Sequence, residues 1–329
     1  MKSIQRQQGV ALMIVLMIVA LVAVLATEMG SRLQLQVQRT MNIKDNNQAY
    51  WYAMGAEAFA RKSISTLMEE TGDKITLQQP WAQEFTYPLD GGGLNARLED
   101  MQSCFNLNAL AGGTTSPNSG QQNVTQAMQA FHTMLLATEL NIDSYTADTL
   151  RDSLADWLDE DDMMRPYGAE DSEYESREHP YLAANSLMTA QSELRLVNGV
   201  EAGLLVALEP LICVLPEVDT LKINVNTIPP ERAALLAGIT GLSLQQAANL
   251  LSSRPEEGWD DAGAFLAEPA IEALDLTQEQ RDWIAVTTEY FILHTKTRYN
   301  KASFSMSTLF NAKESGVVSV LRREFGGVD

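Results

Sequence analysis

The first 79 residues contain no proline, and the whole chain of 329 has only two cysteines, Cys104 and Cys213, and three histidines, His132, His179 and His294, none near another. So few Cys and His residues exclude a local four-ligand zinc site. Basic residues are also scarce, 23 Lys plus Arg against 43 Asp plus Glu, for a formal charge of −20. That balance opposes a phosphate backbone, so nucleic acid is not an expected partner. No Gly-x-Ser-x-Gly, His-Glu-x-x-His or P-loop pattern occurs, and we expect no enzyme. What is present is apolar: 45% of residues are hydrophobic, enough for a full core, and at about 150 residues per domain the length suggests roughly two domains.

The charge is uneven. Residues 1–26 carry only Lys2 and Arg6, so the remainder holds −22. From Val10 to Ala26 the chain reads VALMIVLMIVALVAVLA, seventeen uncharged apolar residues, the lower limit for a helix spanning a bilayer. A cleaved secretory signal ending near Ala26 is the competing reading. Against it, Met29, Leu33, Val37 and Met41 recur every four residues with no proline until Pro80, so the periodicity predicts one helix from about Val10 to about Glu70, roughly 90 Å long. With Lys2 and Arg6 ahead of the span, the N-terminus is expected in the cytoplasm and the bulk outside it.

A short basic leader ending in glycine, Arg6-Gln7-Gln8-Gly9, followed by an apolar stretch that opens a long helix, resembles the type IV pilins and the pseudopilins of type II secretion. The resemblance implies cleavage by a prepilin peptidase after Gly9, a mature and methylated N-terminus at Val10, and anchoring in a bacterial inner membrane with a periplasmic body. Most pilins carry Glu at the fifth mature position; here that residue is Ile14. An unpaired carboxylate in hydrocarbon is costly, so an apolar side chain suits a subunit with no neighbour ahead of it. Among type II pseudopilins, loss of that glutamate is associated with the protein K family, whose members sit at the fibre tip. The resemblance implies partnership with the other minor pseudopilins in a tip complex and with the major pseudopilin.

Beyond the helix, a turn-rich stretch through Pro80, Pro88 and Gly91-Gly92-Gly93 precedes a strand-like segment, Leu94 to Leu107. A Gly/Ser/Pro/Asn loop lies between Ala111 and Val124. Gln126 to Leu274 reads as mainly helical and repeats a design: Leu135-Leu136-Ala137 and its following helix have counterparts in Leu235-Leu236-Ala237 and Leu244–Leu251, each downstream of an Asn-x-Asn element, Asn106/Asn108 and Asn224/Asn226. Alternation returns from Phe291 to Tyr299 and from Ala302 to Thr308, with a further strand at Val317–Leu321. The expected class is α+β: a pilin-type helix on a small antiparallel sheet, with a large helical domain inserted between strands. The expected divisions are a leader (1–9), helix and first strands (10–110, transmembrane about 10–26), a helical insert (111–275) and closing strands (276–329). Protein K is similar in this arrangement. A rival reading takes residues 224–265 as a helix-hairpin-helix module binding DNA or another macromolecule. Its hairpin, Gly238-Ile239-Thr240-Gly241, is one residue longer than the Gly-x-Gly form, and its surroundings are net acidic.

The densest chemistry is DWLDEDDMMRPYGAEDSEYESRE, residues 156–178, with ten acids against Arg165 and Arg177. Hard divalent cations relieve such repulsion, and calcium takes six to eight oxygens; a solvated acidic loop is the equal alternative on these residues alone. Trp157-Leu158-Asp159-Glu160-Asp161-Asp162 and Gly168-Ala169-Glu170-Asp171 resemble the calcium-binding segments of protein K. The implied ligands for one or two Ca2+ ions are Asp159, Asp161, Glu170 and Asp171, then Asp162 and Glu173. Ser192-Glu193-Leu194-Arg195 resembles another family signature and reads as a helix-to-strand junction. An oxidising periplasm favours a Cys104–Cys213 disulfide over two buried thiols, with a stabilisation of roughly 4 to 5 kcal/mol in the chain-entropy model.

Overall fold

A computed structural model describes residues 8–112, 123–314 and 316–326. The leader residues 1–7 and most of the loop after Ala111 lie outside the described residues. Helix α1 runs without a break from Gln8 to Thr71, because nothing in this stretch removes a backbone donor. It ends at Gly72, where a Cβ would lie 2.4 Å from Met68 O.

The face of α1 that meets the sheet carries Ala49, Ala53, Ala56, Ala60 and Ile64, all buried. Their spacing of three and four residues aligns them on one side, and the short side chains let the helix approach closely. The strands that follow among the described residues are β1 (Phe85–Leu89), β2 (Gly92–Asp100), β3 (Phe105–Asn106), β4 (Ile212–Cys213), β5 (Ile223–Asn224), β6 (Ile284–Ala285), β7 (Tyr290–Tyr299), β8 (Ala302–Glu314) and β9 (Val317–Phe325). Five of them form one antiparallel sheet in the order β1-β2-β7-β8-β9. Phe291, Leu293, Phe310, Ala312 and Val318 close its core against Ala60 and Ile64. Across α1, Glu57 accepts bonds from Arg323 Nε at 2.6 Å and Nη2 at 2.9 Å, which clamps the helix to the edge strand β9.

The described residues between β2 and β7 form a second layer. Its helices are α2 (Gln126–Ala137), α3 (Ser144–Leu158), α4 (Asp171–Glu175), α5 (Ala202–Leu208), α6 (Ala233–Thr240), α7 (Leu244–Ser252), α8 (Ala262–Leu266), α9 (Pro269–Glu272) and α10 (Gln278–Trp283). One continuous core holds them together. It takes in Phe105, Leu107 and Leu110 at one end and Trp283, Ile284 and Val286 at the other, so the helical unit's packing extends past the 111–275 limits expected from composition.

The echo between the two Asn-x-Asn elements is structural. Each opens with a two-residue parallel bridge, β3 with β4 and β5 with β6. Asn108 then donates to Met188 O at 3.0 Å and accepts from Met188 N at 2.9 Å. Asn226 does the same to Trp259, at 2.9 and 2.8 Å. One side-chain amide therefore satisfies both backbone groups of a distant residue in each copy, as buried peptide groups require.

Three local expectations change. The segment from Leu94 does not remain a strand to Leu107: it stops at Asp100, whose carboxylate accepts from Gln102 N at 2.7 Å and turns the chain. The stretch before Gly91 contains an edge strand, β1, which tolerates Pro88 because an edge needs no second partner. The Ser192–Arg195 segment is part of a 3-10 helix, Gln191–Leu196, that leads to α5 and not to a strand. Glu193 caps it, accepting from Thr189 N and Ala190 N at 2.8 and 2.9 Å.

Candidate metal centre

Asp152 and Asp156, at i and i+4, share one face of the last turns of α3, the C-cap Asp159 follows three residues on, and all three are buried. A loop returns over this face. Gly168 makes the return possible, since a Cβ there would lie 1.8 Å from Asp156 Oδ2. Tyr167 N donates to Asp152 Oδ2 at 3.3 Å and Arg165 N to Asp156 Oδ2 at 3.0 Å. The Arg165 side chain enters the cluster, with Nη2 2.9 Å from Asp159 Oδ2 and Nε 3.2 Å from Asp156 Oδ1.

The loop then carries Glu170 inward. Its side chain is buried, the residue being 4% exposed, yet neither Oε1 nor Oε2 has a hydrogen-bond partner. Burial, then the charges of Asp156, Asp159, Asp162 and Asp171, push its pKa up to about 8. Desolvation likewise pushes Asp156 to about 7 and Asp159 to about 6, against the pull of Arg165. A buried carboxylate with nothing to accept from is expensive, and it answers either by holding a proton or by meeting a cation. All these donors are oxygens, the set that suits a hard divalent ion.

The expected ligands divide. Asp159 and Glu170 belong to the buried cluster. Asp161 is half-buried and accepts from Met163 N at 2.9 Å; Asp171 is half-buried and accepts from Ala183 N at 2.9 Å. Asp162 is exposed and accepts from Asn185 at 3.1 Å, and Glu173 is exposed on α4. Among the described residues, no three acidic, histidine or cysteine side chains already converge as a metal cage. Asp152, Asp156 and Arg165 are the members that the sequence alone did not single out. The i, i+4, i+7 spacing of Asp152, Asp156 and Asp159 was the available signal.

Cys104 and Cys213 are joined, with Cα atoms 5.7 Å apart. The helix-hairpin-helix rival meets a packing obstacle. A Cβ on Gly238 would lie 2.6 Å from Met134 Cβ and 2.8 Å from Ala130 O, so the hairpin leans on α2 and its first glycine is not offered to a ligand. Two nearby cations are engaged internally: Arg254 donates to Ile228 O at 2.8 Å, and Arg232 to Ser103 Oγ at 3.1 Å.

A second surface lies on α1. Met29, Leu33, Val37, Met41, Trp51 and Phe59 are exposed. At about 100° per residue they fall within a sector of roughly 120°, on the side opposite the buried alanines. Phe59 continues it onto the sheet, stacking on Phe85, which stacks on Tyr87. Val10 and Ile14 lie in the wholly exposed apolar part of the helix, which is long and apolar enough to cross a membrane.

Family models described as type II secretion system protein K match residues 103–217 and 223–287. The chain is similar over its full length to the type II secretion system protein K of Aeromonas hydrophila, at 36% identity and with 100% of both chains covered. It is 36% identical to that of Klebsiella pneumoniae, covering 98% of this chain and 97% of the other. Among solved structures it resembles a chain of the GspK-GspI-GspJ complex of enterotoxigenic Escherichia coli, with a TM-score of 0.78, 32% identity, and coverage of 88% of this chain and 100% of that one.

Proposed function

The chain belongs to the type II secretion system protein K family, and on that premise we propose that it is a non-enzymatic minor pseudopilin at the tip of a periplasmic pseudopilus, taking part in protein export across the outer membrane. A prepilin peptidase cuts after Gly9, methylation follows at Val10, and residues from Val10 to Ala26 hold the chain in the inner membrane with its N-terminus cytoplasmic. The observation that carries this reading is α1. It passes unbroken from the apolar segment to the sheet and turns Met29, Leu33, Val37, Met41, Trp51 and Phe59 outward on one side, with Lys44 and Gln48 between Met41 and Trp51, which gives a subunit a side by which to pack against others. The solved neighbour was crystallised with GspI and GspJ, so the other minor pseudopilins are the partners assigned here, and the missing carboxylate at Ile14 supports a place with no subunit ahead.

N-terminal sequencing of the mature protein tests the processing step: a start at Val10 is expected, and a start at Thr27 refutes it. For assembly, the W51E/F59E chain co-expressed with the other minor pseudopilins of its own system should fail to co-purify with them; unchanged recovery refutes packing through this face.

The acidic cluster is assigned to Ca2+, one or two ions. The unpartnered oxygens of buried Glu170 support this, with Asp159 beside them and Asp161, Asp162, Asp171 and Glu173 at the rim. The ion would supply countercharge that fixes the loop onto α3. Calorimetry on the full chain in detergent micelles, before and after chelation, should show heat of binding and a raised melting temperature; neither would appear if the cluster holds only protons.

A further inference from the structure

Arg165 is 3% exposed and therefore as deeply placed as the carboxylates it meets. It touches Asp156 through both its backbone N–H and its side chain, and Asp159 through Nη2. Five carboxylates act electrostatically on Glu170 or are Glu170 itself, so one guanidinium leaves a large negative surplus. A guanidinium also cannot gather six to eight oxygens around a point, as a calcium ion does. With Arg165 drawing Asp159 toward itself, Glu170 is left inside the cluster without a donor, and among the described residues no three ligands converge.

We propose that Arg165 is a resident counter-cation: it keeps the acidic loop folded on α3 while no metal is bound, and it competes with Ca2+ for the same carboxylates, so that it lowers and thereby sets the affinity for the ion. This rests on the calcium reading above. The two roles have opposite signs. Removing the guanidinium leaves buried carboxylates unpaired and weakens the metal-free fold. The same change removes a positive charge within a few ångströms of the incoming dication and should tighten binding, by roughly tenfold or more for charges this close and this poorly screened. A side chain that only supports the loop would lose both stability and affinity together.

The test uses the full chain in detergent micelles, stripped with chelator and titrated with CaCl2 by calorimetry, alongside thermal unfolding of the stripped protein. For Arg165→Gln the expected result is a lower melting temperature without metal and at least tenfold tighter Ca2+ binding; Arg165→Lys, which keeps the charge, should stay within about threefold of wild type. Weaker binding by Arg165→Gln overturns the proposal and leaves the calcium reading standing. No heat from either wild type or variant removes the calcium reading and the proposal with it. If Arg165→Gln does not fold, the wild-type protein decides by NMR. Ca2+ should move the Arg165 Nε–H resonance and speed its exchange with water, whereas an unchanged, equally protected signal overturns the competition.

Discussion

Cutting the clamp between α1 and the sheet should loosen the helix locally. The Glu57 side chain is 3% exposed and takes two bonds from Arg323, at 2.6 and 2.9 Å, one from Arg61 at 3.1 Å and one from Thr308 Oγ1 at 3.3 Å. Removing one partner of a buried pair typically costs about 3–5 kcal/mol. Arg323 is itself 36% exposed and Arg61 stays in place, so water and the remaining guanidinium reduce this to about 2 kcal/mol for Arg323→Ala. The assay is native-state hydrogen exchange of the full chain in micelles, read by mass spectrometry on peptides covering residues 49–64. A loss of 2 kcal/mol in local opening speeds exchange about thirtyfold. Glu57→Gln should cost less, and the double variant should be less damaging than the sum. The Arg323 hydrogen bond, with its charge and that of Arg61, holds the Glu57 pKa below its ordinary 4.5. The clamp is therefore fully present above that value and fades as pH falls through the lowered one, so wild type and variant should converge in acid. Exchange faster by less than threefold at neutral pH, or a gap that widens in acid, would refute the reasoning.

Replacing both Cys104 and Cys213 with serine releases a link across 109 residues and should destabilise the helical unit by up to about 4–5 kcal/mol. The readout is the unfolding midpoint, which in wild type should fall to the variant's value on adding reductant. Gly238→Ala should cost about 1–3 kcal/mol, because the new methyl meets the backbone of α2 at Ala130 O, 2.8 Å away; thermal melting checks it, and an unchanged midpoint would mean that the two helices can separate freely. Gly9→Val should leave an uncleaved precursor in cells that contain the peptidase, visible as a heavier band by immunoblot, and normal processing would remove the assigned cleavage site.

Helix α1 was legible because a run of apolar residues and a long stretch free of proline leave few alternatives. Strands β7 and β8 were legible from strict alternation. The acidic segment was visible as charge, but its burial was not: a row of acids normally marks a solvated surface, and only the packing of α3 shows that Asp156 and Glu170 face inward. Arg165 looked like partial compensation in a crowded segment, since its contacts come from a loop closing over Gly168, which no local pattern specifies. β1 escaped notice because Pro88 and the neighbouring glycines read as turns, and the Ser192–Arg195 segment misled because the capping of a 3-10 helix by Glu193 has the same residue pattern as many other junctions. The two Asn-x-Asn elements show the opposite case, where a three-residue echo in sequence corresponds to one hydrogen-bonding device used twice.

The helical unit leaves the sheet at the end of β2 and returns at the start of β7, and these two strands are direct neighbours, with Asp100 opposite Phe291. Departure and return therefore share a doorway. The insert hangs from two adjacent strand ends, tied back to β2 by Asn224 and Thr227 on Asp100 and by Arg232 on Glu99, and a module attached at so narrow a base can change in size without altering the order of the five strands.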